Sequence, residues 1–137
     1  MNIIIDANIL ARFLLASEKE TEQHKIAAYF IDEADEIIIP THVVCEFVWV
    51  LVNGYKVKPD IVHAALSDFL QRDKLVMRED EIEAGMFFLE KGGDFADGVN
   101  AHTGRSMTRG RAVFVSFDRK AVRLLTERGI PAMIPRL

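Results

Sequence analysis

Residues 1–8 read MNIIIDAN, and the fold is decided there. Ile3, Ile4 and Ile5 form a β-branched run with no polar alternation, which suits a strand buried on both faces, as in a parallel sheet. Asp6 follows at once, then Ala7 and Asn8, then the apolar stretch Ile9 to Leu15. The change of period after Asp6 predicts a strand that runs straight into a helix. That places Asp6 at the carboxyl end of a strand and near a helix N-terminus, where α/β folds collect ligands. Aspartate is also a good N-cap, so capping alone accounts for Asp6 equally well. Position by itself leaves both readings open, and the rest of the chain has to decide.

The 137 residues suffice for one domain with a real core, taken as residues 1–137. Half the residues are hydrophobic and 28% are charged, an ordinary globular mix. No apolar run approaches the length of a membrane span. No basic segment leads into a cleavable apolar one, so no signal peptide is expected. The single cysteine, Cys45, excludes an internal disulfide and fits a reducing compartment. These features point to a cytoplasmic protein with no membrane attachment. The net charge of −4 divides unevenly: +6 from Gly98 onward and −10 before it. A basic C-terminal third offers a face for phosphates, and a solvated mixed-charge surface is the plainer account.

Outward from the first strand, Ile9 to Ala16 reads as a helix. Ser17 and Glu20 form a capping box for a second helix ending near Asp35. Its apolar positions are Ile26, Ala27, Phe30 and Ile31. Ile37 to Ile39 form a second buried strand stopped by Pro40. Thr41 is the next N-cap candidate, for a mostly buried helix over Val43 to Val52 that Asn53-Gly54 ends. Pro59 suits the first turn of a helix with Val62, Leu66, Phe69 and Leu70 inside. Leu75 to Met77 are a weak strand, and Glu79 to Lys91 a helix stopped by Gly92-Gly93. A helix is expected from Asp97 to Met107, weakened by Gly98 and Gly104 at about 1 kcal/mol each against alanine. Ala112 to Phe117 is the clearest late strand. A helix over Asp118 to Arg128 and a short strand over Ala132 to Ile134 complete the chain. Alternating strands and helices give an α/β three-layer sandwich, with a mostly parallel central sheet flanked by helices.

Asp118 stands like Asp6: the apolar strand VFVSF, then the acid, then a helix. Glu46 is the one charged residue among Val44, Cys45, Phe47 and Val48, and an ionised Glu buried there needs a partner. Asp97 heads a helix after the Gly-Gly turn, with Asp94 three residues earlier. Separate segments thus deliver carboxylates to one sheet edge. Crowded carboxylates raise one another's pKa unless a cation relieves the repulsion. Oxygen-only ligands without a His or Cys cluster favour Mg²⁺ or Mn²⁺ over Zn²⁺.

The order IIIDAN, PTHVVCEFVWVL, GGDFADG and VFVSFDRK resembles the PIN-domain nucleases, and within them the VapC-like ribonuclease toxins of type II toxin–antitoxin pairs. The resemblance places the acidic quartet of catalytic metal ligands on Asp6, Glu46, Asp97 and Asp118. It gives Asn8, Asp94 and Ser116 supporting positions. It implies Mg²⁺- or Mn²⁺-dependent endonucleolytic cleavage of RNA, leaving a 5′-phosphate and a 3′-hydroxyl. It also implies a cognate antitoxin protein that covers the active site, and a homodimer, expected here through apolar helix faces between residues 43 and 70. Gly98 departs from the small helix-forming residue usual after the third acid.

Beside these roles stand plainer ones. Asp94 suits a turn, Asn8 a cap, and the Ser116 hydroxyl a backbone bond. Arg105, Arg109, Arg119 and Lys120 are candidates for RNA phosphates, or simply for solubility. Trp49, one turn beyond Glu46, fits core packing better than base stacking, given the apolar helix around it. Cys45 reads as a buried small hydrophobe, and His42 as a polar residue near the strand edge. His24, His63 and His102 lack ligand spacing. Two other functions compete. One is a Mg²⁺-dependent phosphatase or phosphotransferase with an aspartyl nucleophile, which would want a second Asp where Asn8 stands. The other is a non-catalytic binding module on the same fold.

Overall fold

The structure is a computed structural model that describes residues 1–14 and 22–137. The predicted Ser17–Glu20 capping box lies outside the described residues. The described chain divides into two compact units, Met1–Arg78 and Glu79–Leu137.

In the first unit the elements run β1 (Asn2–Ile4), α1 (Ala7–Leu14), α2 (Glu22–Glu33), β2 (Glu36–Ile38), α3 (Thr41–Trp49), α4 (Pro59–Leu70) and β3 (Leu75–Val76). The strands form a parallel sheet in the order β1-β2-β3. Ile3 stands opposite Ile37, and Ile37 opposite Leu75. Central β2 is what its unbroken isoleucine run predicts: Ile37 and Ile39 are each 1% exposed. β1 is not. It is an outer strand of this sheet, and although Ile5 is buried, Ile4 is 75% exposed. The expectation of burial on both faces fails because an outer strand in this position alternates between covered and open sides.

Pro40 ends β2 and occupies the N-cap of α3 with no side-chain bond to the helix, so Thr41 is the first helical residue and not the cap. Val43, Val44, Phe47 and Val48 bury one side of α3. Phe47 lies 6.2 Å from Phe69 of α4, ring centre to ring centre. The expected α-helix to Val52 stops at Trp49 and continues as a π-helical turn over Val50–Gly54. Pro59 opens α4, whose buried residues are Val62, Leu66 and Phe69. On α2, Ala27 is buried as read, but Ile26 and Phe30 remain exposed.

The second unit contains α5 (Glu79–Glu90), α6 (Phe95–Met107), β4 (Phe114–Val115), α7 (Arg119–Glu127) and β5 (Ala132–Met133). β4 and β5 pair in parallel, with Phe114 opposite Ala132. The late strand is shorter than its sequence suggests, and Val113, Val115 and Phe117 remain exposed. Its core gathers Phe88, Ala101, Ala121, Leu124 and Leu125. The three contributed by α7 are spaced three and one apart, the narrow apolar stripe of an amphipathic helix. Gly129, at φ +75°, follows the end of α7 in the left-handed conformation that glycine adopts without strain.

Both units place helices between parallel strands, so the chain is an α/β protein. No described helix is long and apolar enough to cross a membrane.

Candidate active site residues

Asp6 occupies the junction between β1 and α1. One of its oxygens, Oδ1, accepts the Ile9 N–H at 2.9 Å, so Asp6 does cap α1. Capping uses one carboxylate oxygen and leaves the other free to bind. The Asn8 Oδ1 accepts the Arg12 Nε–H at 2.6 Å and fastens that arginine along α1. Glu46 corrects the sequence reading. It is exposed, and no charged residue is buried among the described residues. It stands on a solvent-facing stripe of α3 with His42 and Trp49, and the π-helical turn continues that stripe to Asn53. Spacings of four, three and four keep these residues on one side of the helix, away from the buried valines. Cys45 is only partly buried, short of the core position expected for it.

In the second unit Asp94, not Asp97, heads α6. The Asp94 Oδ1 accepts N–H groups of Ala96 at 2.8 Å and Asp97 at 3.3 Å. Asp97 is the third residue of the helix, half-buried. Asp118 caps α7 by accepting the Ala121 N–H at 3.1 Å. The Asp118 N–H itself donates to the Ser116 hydroxyl at 3.0 Å, so Ser116 fixes the backbone at this acid. Burial, then the negative charges of Asp94 and Asp118, push Asp97 above the ordinary aspartate range. Asp97 therefore senses the carboxylates that head α6 and α7. Helix N-termini favour anions, which tempers this repulsion without removing it.

Among the described residues no group of three or more His, Cys, Asp or Glu is disposed to hold a metal ion. The donor chemistry of the second unit still suits one. Asp94, Asp97 and Asp118 are oxygen donors, the kind a hard divalent cation takes, and the Asp97 pKa is raised first by burial and then by the charges of the other two. In the first unit Asp6 and Glu46 are exposed carboxylates.

The basic candidates separate into two groups. Arg119 and Lys120 open α7 directly after Asp118, both exposed. Arg105 and Arg109 line a cavity of about 530 Å³ with His102, Ser106 and Arg128. Arg105, in the last turn of α6, donates through Nη1 to the Ala112 carbonyl at 2.8 Å, and Arg109 holds φ at +54° in the turn that follows. Arg128, missed in the sequence, lies 4.0 Å over the Phe87 ring. His102, read as lacking a ligand role, pairs with Asp80 at 2.9 Å and holds that carboxyl below its ordinary range. The sequence also gave no sign of a second cavity, about 510 Å³, that Asn8, Arg12, His24, Val50 and Tyr55 help to line. Only its fold, which packs α1 against α3, brings those residues together.

An α/β chain with acids at the ends of its strands and the starts of its helices belongs to the class whose chemistry sits at strand–helix junctions. Residues 3–124 match the PIN domain model, and the chain belongs to the PIN domain family. PIN domains are generally metal-dependent nucleases. Among curated proteins no relative matches the chain.

Proposed function

We propose that this protein is a Mg²⁺- or Mn²⁺-dependent endoribonuclease, the toxin of a toxin–antitoxin pair that inhibits translation. One observation carries the reading furthest: Asp97 is driven toward protonation by burial and by its neighbours Asp94 and Asp118, in a chain of a nuclease family. Asp6, Glu46, Asp97 and Asp118 are the proposed ligands. When bound, the ion supplies an acidified water and a counter-charge for the phosphoryl oxygens. The chain's own groups do the rest. Asp94 and Asp118 stiffen the starts of α6 and α7, and Ser116 holds the Asp118 backbone. Arg119 and Lys120 supply positive charge for the RNA backbone beside Asp118. Inhibition by a cognate antitoxin, dimerisation through residues 43–70 and a cytoplasmic location belong to the same proposal. The phosphatase alternative weakens further, since the Asn8 side chain is committed to Arg12 where that chemistry wants a free acid.

The test is incubation of the purified protein with structured RNA and Mg²⁺ or Mn²⁺, with cleavage sites mapped from an end label. Discrete cuts that disappear with EDTA are expected. RNA left intact by stoichiometric protein in both metals overturns the assignment.

Asp6 allows capping and catalysis to be told apart. Asparagine caps as well as aspartate, so Asp6→Asn is expected to retain wild-type stability and lose cleavage. Asp6→Ala loses cleavage and also about 1 kcal/mol of stability, the usual cost of deleting an N-cap. Equal urea midpoints for the two variants would show that the Ile9 bond contributes nothing.

A further inference from the structure

Trp49 is 62% exposed, although the apolar helix around it predicts a core residue. It is the chain's sole tryptophan. The buried side of α3 is complete without it, filled by Val43, Val44, Phe47 and Val48. Trp49 instead shares the open side with His42 and Glu46, three residues after the glutamate. Side chains three apart on a helix are neighbours, with Cβ atoms about 5–6 Å from each other. The α-helix gives way to the π-helical turn at the next residue, and Asn53 Nδ2 ties that turn back to the Trp49 carbonyl at 3.2 Å. Such irregular turns occur often at functional sites. Val50, the residue after Trp49, lines the 510 Å³ cavity that also holds Arg12 and Tyr55.

An open indole three residues from Glu46, a proposed metal ligand, stands beside the phosphodiester that the ion would engage, within reach of the neighbouring base. It is well suited to a flat, polar-edged ligand. We propose that Trp49 is a stacking platform for an unpaired nucleobase of the RNA, next to the proposed metal ligand Glu46. The inference rests on the nuclease reading and deepens it. A base can lie on an indole only when its face is open, so the residue selects single-stranded segments and loops over duplex. The substrate is then held by a base as well as by its phosphates, next to a proposed catalytic acid.

The single tryptophan makes the test direct. Asp97→Asn protein is titrated with a labelled single-stranded RNA of mixed sequence, and with the same strand annealed to its complement. Indole emission and RNA anisotropy are followed together. Expected is quenching by the single strand that saturates with the anisotropy, and none by the duplex. Trp49→Ala is expected to weaken single-strand binding roughly tenfold or more, the usual scale for one stacked base, while Trp49→Phe retains most of it. In the active protein the same Trp49→Ala change raises KM more than it lowers kcat. Because the side chain is exposed, the variants should fold, and a thermal melt checks that they do. Anisotropy that reports binding while emission stays constant overturns the proposal and leaves the nuclease reading intact. So does equal quenching by the duplex. An emission shift with protein concentration alone, without RNA, places Trp49 between two copies of the chain and also overturns it. Absence of any RNA binding removes both readings together.

Discussion

Asp97→Asn is expected to abolish RNA cleavage and, in the absence of divalent metal, to make the protein more stable. The first effect follows from the proposed ligand role. Removing a carboxylate that holds the ion costs several kcal/mol of transition-state stabilisation, which corresponds to roughly a thousandfold or more in rate. The second follows from the direction of the Asp97 shift. Burial, and then Asp94 and Asp118, raise its pKa in the folded state. A raised carboxylate binds its proton more tightly when folded than when unfolded. Its contribution is therefore neutral below the ordinary aspartate value, where both states are protonated. Stability then falls as pH rises through the interval up to the folded value, and the full penalty persists above it. At neutral pH Asp97→Asn removes that penalty, so the melting temperature should rise, and the gain should vanish on acidification below the ordinary aspartate range. Added Mg²⁺ should raise the wild-type melting temperature more than that of the variant, because a ligand for the folded state stabilises it by mass action. Thermal melts at neutral and acid pH, with and without Mg²⁺, check the stability arm. Undiminished cleavage by the variant would remove Asp97 from the catalytic set. A variant less stable than wild type without metal would mean that the carboxylate is held by something other than the repulsion described.

Much of this arrangement is legible in the chain, and the exceptions have physical causes. Ile37 to Ile39 read correctly as a buried strand because a central strand is covered on both faces, and the composition reports that directly. The same composition at Ile3 to Ile5 misleads, because composition does not reveal whether a strand lies inside a sheet or at its margin. The helix of residues 41–49 was legible in its buried side. Its open side was hidden, since hydrophobic residues crowd the sequence around Glu46 and Trp49, whereas a period of 3.6 residues turns those two outward together. Glu46 therefore needs no buried partner, and its case rests on family and position, not on desolvation. At Asp94 and Asp97 the sequence offered two acids after a Gly-Gly turn. Which one caps depends on where the backbone first turns helical, a boundary that spacing does not fix. Cap and ligand are also not exclusive. Asp6 and Asp118 each give one oxygen to a helix N-terminus and keep a second, so the plain reading of both holds without displacing the functional one.

The glycines of α6 supply the second large effect, and the sequence read them in the wrong terms. Both Gly98 and Gly104 counted as weaknesses in a helix, by propensity alone. In the structure they are opposites. A Cβ on Gly98 would lie 2.5 Å from the Ala84 carbonyl oxygen and 3.0 Å from the Phe88 ring, whereas one on Gly104 would meet nothing within 4 Å. The absent side chain at Gly98 lets α6 press directly on the backbone of α5. Gly85 does the same from the other helix, where a Cβ would come within 2.6 Å of the Phe95 ring. Close approach of this kind cannot be relieved by a rotamer change, because the obstacle at Ala84 is main chain. Gly98→Ala is therefore expected to destabilise the protein by about 1–3 kcal/mol, the usual range for overpacking, after its gain in helix propensity has been outweighed. Gly104→Ala, in the same helix and open to space, should stabilise by up to about 1 kcal/mol. Urea unfolding of the pair separates the two readings, since an exchange of identical chemistry should move the midpoint in opposite directions. A Gly98→Ala midpoint at or above wild type would mean that α5 and α6 do not approach as closely as described. In that event Asp97, the residue before Gly98, would lose the half-buried setting that raises its pKa.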